Sequence, residues 1–276
     1  MTEDFADRIP ERRMSRREVI LTLSRWTGFL ALAQTVDPLG LSRAVAQTAT
    51  ATTESVSVQV NLTTGTLINF GYRTPNGNQP KTFGDMAHLW AVSDAQVPWN
   101  RPPKASVSIV GDDPVGDQNF ENVAITSEPY LVGYSVGPLA PSGSGWSPYA
   151  NVVATAYIPP QNGNAESFST CAKLRHIGAT SLAFDFAFPP GFSAKGAGAW
   201  AGLWSGRGVS YLTPPPWSAS IDIGSDAGDW GLDGLHLERG SSYTLGLFPS
   251  GYVRAGTGTA AELSSKNLAY AVSFEA

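Results

Sequence analysis

The chain is poor in charge and almost free of cysteine. Charged residues make up 15% of its 276 positions, and Cys171 is its single cysteine. One cysteine excludes an intrachain disulfide, so an apolar core must hold the fold together. Because no neighbouring positive charge favours a reactive thiolate, we expect Cys171 to be a small buried residue.

A basic surface is also missing. Seven of the 18 Lys and Arg residues and six of the 23 Asp and Glu residues precede residue 47, which leaves the remaining chain with a net charge of about −6. Because no stripe of basic side chains remains to neutralise phosphates, nucleic acid and anionic membrane surfaces are not expected partners. The longest weakly apolar stretch, residues 26–41, contains Gln34, Asp37 and Pro38 and is too short and interrupted for a membrane span.

Catalytic signatures are absent from the sequence. It contains no G-x-S-x-G, no H-E-x-x-H and no phosphate-binding glycine loop followed by Lys-Ser/Thr. The three histidines, His88, His176 and His236, are far apart. A histidine metal site or a Ser-His-Asp triad would have to be assembled from distant loops, so the sequence does not predict either one.

The first 46 residues contain three features in a fixed order. Residues 15–21 read SRREVIL, the apolar stretch follows, and residues 44–46 read AVA. This order resembles the bacterial twin-arginine (Tat) signal peptide, which directs folded proteins to export. The resemblance covers residues 1–46 only and implies a mature chain that begins near Gln47 in the periplasm or outside the cell.

Glycine and proline are abundant in the remaining chain, and the sequence contains 29 and 20 of them. Apolar and polar residues alternate over residues 55–60 and 105–109, which is typical of strands with one buried face. Pro- and Gly-rich segments separate such runs and favour turns between short strands. The pattern predicts an all-β fold of antiparallel sandwich or jelly-roll type.

One pattern occurs twice, 114 positions apart. Residues 66–92 match residues 180–206 without a gap, and the matches include Gly77 with Gly191 and Trp90 with Trp204. A period of about 110 residues suits one small domain per copy. We predict two tandem sandwich domains, residues 52–160 and 166–276, with residues 159–165 as a flexible joint. The two repeated indoles are expected to be buried core residues.

The same spacing aligns Ala105 with Ala219 and Ile109 with Ile223. After a shift of one residue the similarity resumes, and this shifted frame puts His236 opposite Val123. None of the histidines is therefore shared between the copies.

Large aromatic side chains lie in segments that read as loops. Such rings are costly to leave in water unless they pack or bind a ligand. A ring beside carboxylates suits a sugar, because the indole stacks on the pyranose face and the acids accept hydrogen bonds from its hydroxyls. The candidate ligand-binding residues are Trp99, Trp146, Tyr211, Trp217 and Trp230.

A cluster of acids surrounds the last of these residues. Asp226, Asp229 and Asp233 lie within a glycine-rich segment, and several oxygen ligands on such a loop are what Ca²⁺ requires. The spacing does not match the helical calcium-hand loop, and the simpler interpretation is a solvated turn. Calcium is thus the one cofactor that the sequence suggests.

Three hypotheses about function remain open. The first is an exported binding protein that recognises a glycan or another envelope or extracellular component, with two copies raising avidity. The second is a carbohydrate-active hydrolase or lyase, which would use acids such as Asp185, Asp226, Asp229, Asp233 and Glu238. The third is a structural subunit of an extracellular assembly.

Overall fold

The computed structural model describes residues 51–138, 147–160, 163–252 and 265–276. The twin-arginine segment, Trp146 and part of the predicted joint lie outside these residues. The described chain folds into antiparallel sheets, which confirms the all-β sandwich prediction. It contains no helix with the length and apolar character needed to cross a membrane.

Sixteen strands and three short helices follow one another along the described chain. The strands are β1 (Thr52–Ser55), β2 (Ser57–Thr63), β3 (Leu67–Arg73), β4 (Met86–Ala91), β5 (Ala105–Ser108), β6 (Val115–Glu121), β7 (Tyr130–Ser135), β8 (Val152–Ile158), β9 (Glu166–Ser169), β10 (Cys171–Ile177), β11 (Ser181–Ala187), β12 (Trp200–Ser205), β13 (Trp217–Ser220), β14 (Ala227–Asp233), β15 (Ser242–Phe248) and β16 (Tyr270–Glu275). The helices are α1 (Pro80–Phe83), α2 (Ala194–Ala197) and a 3₁₀ turn at Ser265–Asn267.

These strands build two sandwiches, each with a five-stranded and a three-stranded sheet. The first pairs the order β5-β4-β7-β8-β9 with β2-β3-β6, and the second pairs β1-β16-β15-β12-β13 with β10-β11-β14. Apolar side chains from the facing sheets form one core in each sandwich; Phe70 and Val132 lie in the first core, Phe184 and Leu245 in the second. Half-buried Cys171 packs against the second core, and burial raises its pKa, as expected for an unreactive thiol.

The first strand of each half pairs with the last strand of the other half. Strand β1 pairs with β16, the last strand of the chain, whereas β9 pairs with β8. The chain crosses between sandwiches at Val56 and Thr170, both fully buried. Their amides donate to Ala269 and Val153 at 3.2 and 2.9 Å. The predicted joint, residues 159–165, thus connects two strands of one sheet, and the crossings lie elsewhere.

The elements of the two halves recur in the same order. From β1 to β4 and from β9 to β12, including α1 and α2, every boundary repeats at a spacing of 114. Gly84 and Gly198 end the two helices with φ of 83° and 69°, a conformation that favours glycine and explains why both positions carry it. The recurrence is what a duplication predicts, and the duplication itself stays a prediction.

The spacing changes after β4. Ile109 donates to the Asp85 carbonyl at 3.0 Å, and the residue that donates to the equivalent Ala199 carbonyl, at 2.8 Å, is Ile221. The structural offset is therefore 112 here, because the β4–β5 connection is two residues longer than the β12–β13 connection. Ala105 is equivalent to Trp217, a correction to the uninterrupted alignment with Ala219.

The repeated indoles are buried, as the sequence predicts. Trp90 is 1% and Trp204 7% exposed, and their Nε1 groups donate to the carbonyls of Arg101 and Thr213 at 2.9 and 3.3 Å. They lie on the outer faces of the five-stranded sheets, in apolar clusters separate from the two sandwich cores. Each indole is covered by the connection that follows its own strand.

Candidate functional site

Two of the candidate loop aromatics lie between the halves. Trp99, in the β4–β5 connection, packs on Phe192 with ring centroids 5.1 Å apart. Tyr211, in the equivalent β12–β13 connection, stacks on Phe83 at 5.4 Å. Each connection thus covers an aromatic residue of the other half. This packing buries the ring of Tyr211, whereas Trp99 stays half-buried and lines a groove of its own.

The strands hold two further candidates. Trp230 lies on the inner face of β14 and packs against the second core, with its Nε1 buried and without a hydrogen-bond partner among the described residues. Trp217 lies on the edge strand β13, half-buried, and its indole lines a groove at the surface. Trp146 lies outside the described residues. Trp99, Trp217 and Trp230 are all half-buried and pack against the second core, and Trp99 and Trp217 each also line a groove.

The structure does not bring the three candidate calcium ligands together. The segment expected to be a loop is mostly strand β14, where Asp229 and Asp233 are separated by about 13 Å. Asp226, before the strand, accepts a hydrogen bond from the Gly191 amide at 2.7 Å. Within the described residues, no three His, Cys, Asp or Glu side chains are grouped closely enough to hold a metal ion. The geometry gives Asp226 the role of fixing a turn.

A groove of about 420 Å³ opens at one end of the second sandwich. We call it the end groove. The end of β12, the starts of β13 and β15 and the β14–β15 connection form its walls. Its principal side chains are Ser205, Trp217, His236, Glu238, Ser242 and Tyr243.

The framework of this groove also exists in the first half. The Glu238 amide donates to the hydroxyl of Tyr243 at 2.8 Å, and the Thr126 amide donates to that of Tyr130 at 3.0 Å. The amides of Leu237 and Ile125, one position earlier, bond the carbonyls of Ala179 and Gly65. These matching bonds pair Leu237 with Ile125 and Glu238 with Thr126, an offset of 112 within the β14–β15 and β6–β7 connections, whereas the acceptor tyrosines that follow are 113 apart.

The side chains on that framework differ between the halves. The first half has Ala105, Ala124 and Thr126 where the end groove has Trp217, His236 and Glu238. The fold therefore does not need an indole, an imidazole or a carboxylate at these positions. The second half alone carries an indole, an imidazole and a carboxylate at these three positions, around an open groove, which favours a ligand-binding role.

His236 was not singled out by the sequence, because it is not shared between the copies and its alignment with Val123 was one residue off. The structure places it opposite Ala124. An alignment at the offset of 112 would have identified His236, because it shows that the first half has alanine where the second half has histidine. Glu238 was among the candidate acids, and the structure sets it beside Trp217 in one groove.

Carboxylates do not pair in the four grooves found among the described residues. Each of the four grooves described along the chain is lined by at most one, and the end groove contains only Glu238. Asp185 and Asp229 are cross-strand neighbours, yet they lie on the outer face of the three-stranded sheet, where Arg175 forms an ion pair with Asp185 at 2.6 Å. An acid and base flanking a glycosidic bond are thus not found in any of these grooves.

A serine and a histidine meet in the first half. Ser106 Oγ and His88 Nδ1 are 2.8 Å apart. Burial lowers the pKa of His88 to about 4, so the ring is neutral and a weak base at pH 7. It packs against Trp90 and Tyr149, and its Nε2 has no hydrogen-bond partner among the described residues. Without a group to orient the ring, the pair lacks the third member of a triad.

Comparisons with known proteins add little to this picture. No family model matches the chain, and no curated protein matches its sequence. Among solved structures, the "Biofilm associated protein - BSP domain" matches with a TM-score of 0.22 and 10% identity, over 73% of this chain. The match spans 27% of that protein's length. A TM-score of this size does not establish a shared fold.

Proposed function

We propose that this chain is an exported β-sandwich protein that binds a glycan of the cell envelope or its surroundings through the end groove. The observation that carries the proposal is the difference between the halves. On the same backbone framework, Trp217, His236 and Glu238 replace Ala105, Ala124 and Thr126. The second half alone carries these groups, so binding does not depend on avidity between two equal sites.

The chemistry of the end groove suits a sugar. Half-buried Trp217 packs against the second core and also lines the groove, where it supplies apolar surface, and exposed Glu238 can accept hydrogen bonds from hydroxyls. Ser205, Ser242 and His236 add groups that donate or accept. A site with one aromatic platform and a few polar groups fixes both the position and the orientation of a pyranose ring.

Binding is favoured over hydrolysis because a single carboxylate lines the groove. Glycosidases of the usual type place two carboxyl groups about 5–10 Å apart across the scissile bond. Glu238 has no such partner in the end groove. The hydrolase hypothesis would need a second acid from residues that do not line it.

Substitutions to the first half's residues should remove binding without unfolding the protein. We expect Trp217→Ala to weaken binding to the recognised glycan at least about tenfold, because it removes the stacking surface. His236→Ala and Glu238→Thr should weaken it less. Binding is measured by glycan-array screening of the wild type followed by titration of the best ligand.

The matched control is Trp99→Ala, which removes an indole that packs between the halves and lines a different groove. It should alter stability and leave affinity unchanged. Equal affinities for wild type and Trp217→Ala would exclude the end groove as the binding site. Thermal melts of all variants separate lost binding from lost folding.

Export through the twin-arginine pathway is the second part of the proposal, supported by residues 15–21, SRREVIL. We expect the double substitution Arg16→Lys and Arg17→Lys to leave the protein in the cytoplasm, because the pathway reads the arginine pair. The measurement is cell fractionation and immunoblotting. Substituting Arg12 and Arg13 instead provides a control of equal charge, and unimpaired export of the Arg16/Arg17 variant would contradict the proposal.

A further inference from the structure

A second groove, of about 300 Å³, lies on the outer face of the five-stranded sheet in the second sandwich. We call it the face groove. It is built from both halves, because strand β1 crosses to this sheet and contributes Thr52 and Glu54. The other principal side chains are Asn76, Arg207, Thr244 and Ser273.

The two grooves lie on either side of one short loop. Ser205 and Gly206 line the end groove, whereas Arg207 and Gly208 line the face groove. Strand β15 supports this loop, since Arg207 Nε donates to Ser242 Oγ at 3.3 Å and the Gly208 amide donates to Thr244 Oγ1 at 2.8 Å. Ser242 and Thr244 are about 7 Å apart along one strand face, so the grooves are close neighbours.

In the first half, apolar and aromatic side chains cover the part of the sheet surface that corresponds to the face groove. The strand register puts Thr244 opposite Trp204 and Ser273 opposite Thr244. In the first half the corresponding row is Trp90, Leu131 and Tyr157. Leu131 is fully buried and Tyr157 packs against its cluster.

At a third position the second half again has a polar residue where the first half has an apolar one. On the exchanged edge strands, Glu54 of β1 takes the place that Phe168 holds in β9. The fold therefore accepts an apolar cover at this site, and the second half has hydroxyls and a carboxylate around a groove instead. Thr244, Ser273 and Glu54 thus replace apolar or aromatic side chains of the first half, whereas Thr52 corresponds to Glu166, so this position is polar in both halves.

We propose that the end groove and the face groove form one track that binds a linear, neutral polysaccharide. This inference rests on the proposed glycan-binding function. Trp217 pairs with the core residue Leu203 and so faces inward at the sheet edge, whereas Thr244 and Ser273 face outward, and the track therefore passes round the end of the sheet. From β13 to β1 it spans five neighbouring strands, about 19 Å, which is several times the length of one pyranose ring. The Trp217 indole holds one sugar, and the hydroxyls of Thr244 and Ser273 contact a later unit of the same chain.

Charge along the track selects a neutral ligand. Arg207, the cation among the lining residues, forms an ion pair with Glu275 at 2.5 Å. Glu54 accepts two hydrogen bonds from Asn76, at 2.8 and 2.7 Å. With Glu238 at the other end, an anionic polymer would meet repulsion, whereas the hydroxyls of a neutral polymer find acceptors.

The test is the dependence of affinity on chain length. Purified protein is titrated by calorimetry with linear neutral oligosaccharides of one to six units from the cello-, xylo-, laminari- and N-acetylated chito- series. In the series that binds, we expect affinity to rise about tenfold or more between the dimer and the hexamer, as the face groove is filled. Ser273→Tyr, which introduces the first half's residue, should reduce hexamer affinity to that of the dimer and leave dimer affinity unchanged.

The control for this variant is Ser108→Tyr, at an exposed strand position that lines neither groove. Its affinities should equal those of the wild type at every length. Affinity that is equal for dimer and hexamer, or unchanged hexamer binding by folded Ser273→Tyr, would overturn the track while leaving the end groove in place. Failure of every series to bind would overturn both the track and the proposed function.

Discussion

Replacing Trp90 or Trp204 with alanine should lower the free energy of unfolding by about 3–5 kcal/mol, the range for emptying a large aromatic site. Both indoles are almost fully buried, and each Nε1 donates to a backbone carbonyl that would lose its partner. Urea denaturation of the two variants and the wild type provides the measurement. The half-buried Trp217→Ala variant should lose considerably less.

A second substitution tests the packing behind this expectation. A Cβ on Gly133 would lie 2.9 Å from the Trp90 ring and 3.0 Å from Val152 Cγ1, so Gly133→Ala should cost about 1–3 kcal/mol in the wild type. In the Trp90→Ala background the clash with the ring is gone, and the two effects should not add. Additive losses, or a small loss for Trp90→Ala, would show that the indole is not a packed anchor.

The repeated tryptophans could be predicted from the sequence, but the face they cover could not. Alternation along β4 shows only that Trp90 and Leu89 point to opposite sides. Both faces of this strand are buried, because the β4–β5 connection folds back over the outer one. A strand buried on both faces carries apolar residues at consecutive positions, and nothing local distinguishes the inner from the outer set.

Strand exchange between the halves is a second feature that local pattern conceals. Residues 55–60 alternate without interruption, and Val56 and Val58 are both buried in the first core. The chain nevertheless changes sheets at Val56, since the preceding residues pair with β16. Inward and outward alternation is the same on either side of the crossing, and the partner strand lies more than 200 residues away.

The sequence predicts two of the residues that line the end groove. Trp217 and Glu238 were recognised as candidates, yet the uninterrupted alignment set Trp217 against a proline, the aligned position being Pro103. The two extra residues of the β4–β5 connection hide the true match with Ala105. A loop can absorb such an insertion at little energetic cost, so sequence spacing drifts where structural equivalence does not. Only the hydrogen bonds that fix each strand restore the correct comparison.

The first half also contains two buried ionisable groups with opposite responses to pH. Burial lowers the pKa of His88 from 6.5 to about 4 and raises that of Asp85 from 3.8 to about 6. Asp85 is fully buried and accepts hydrogen bonds from Tyr134, Asn78 and the Gly137 amide, at 2.9, 2.9 and 2.7 Å. Desolvation outweighs these bonds and favours the neutral acid.

The signs follow from proton binding. Between pH 4 and 6.5, His88 binds more protons in the unfolded protein than in the folded protein. Its contribution to the free energy of unfolding is therefore fully present above pH 6.5 and is lost as the pH falls to 4. Between pH 3.8 and 6 folded Asp85 binds more protons than the unfolded chain, so its contribution to stability rises as pH falls. Each change amounts to about 3 kcal/mol, and in the wild type they nearly cancel.

Substituting one of the two groups should therefore reveal the pH dependence of stability that the other causes. Each single variant retains one group with a shifted pKa. Between pH 7 and pH 4, the free energy of unfolding of His88→Asn should rise by about 3 kcal/mol relative to the change in the wild type. That of Asp85→Asn should fall by about the same amount. Urea denaturation at pH 7, 6, 5 and 4 measures the slopes, which do not depend on the constant cost of altering a buried site. The double variant should follow the wild type's nearly flat profile. Parallel profiles for the two single variants would mean that neither group titrates in the folded protein as its burial requires.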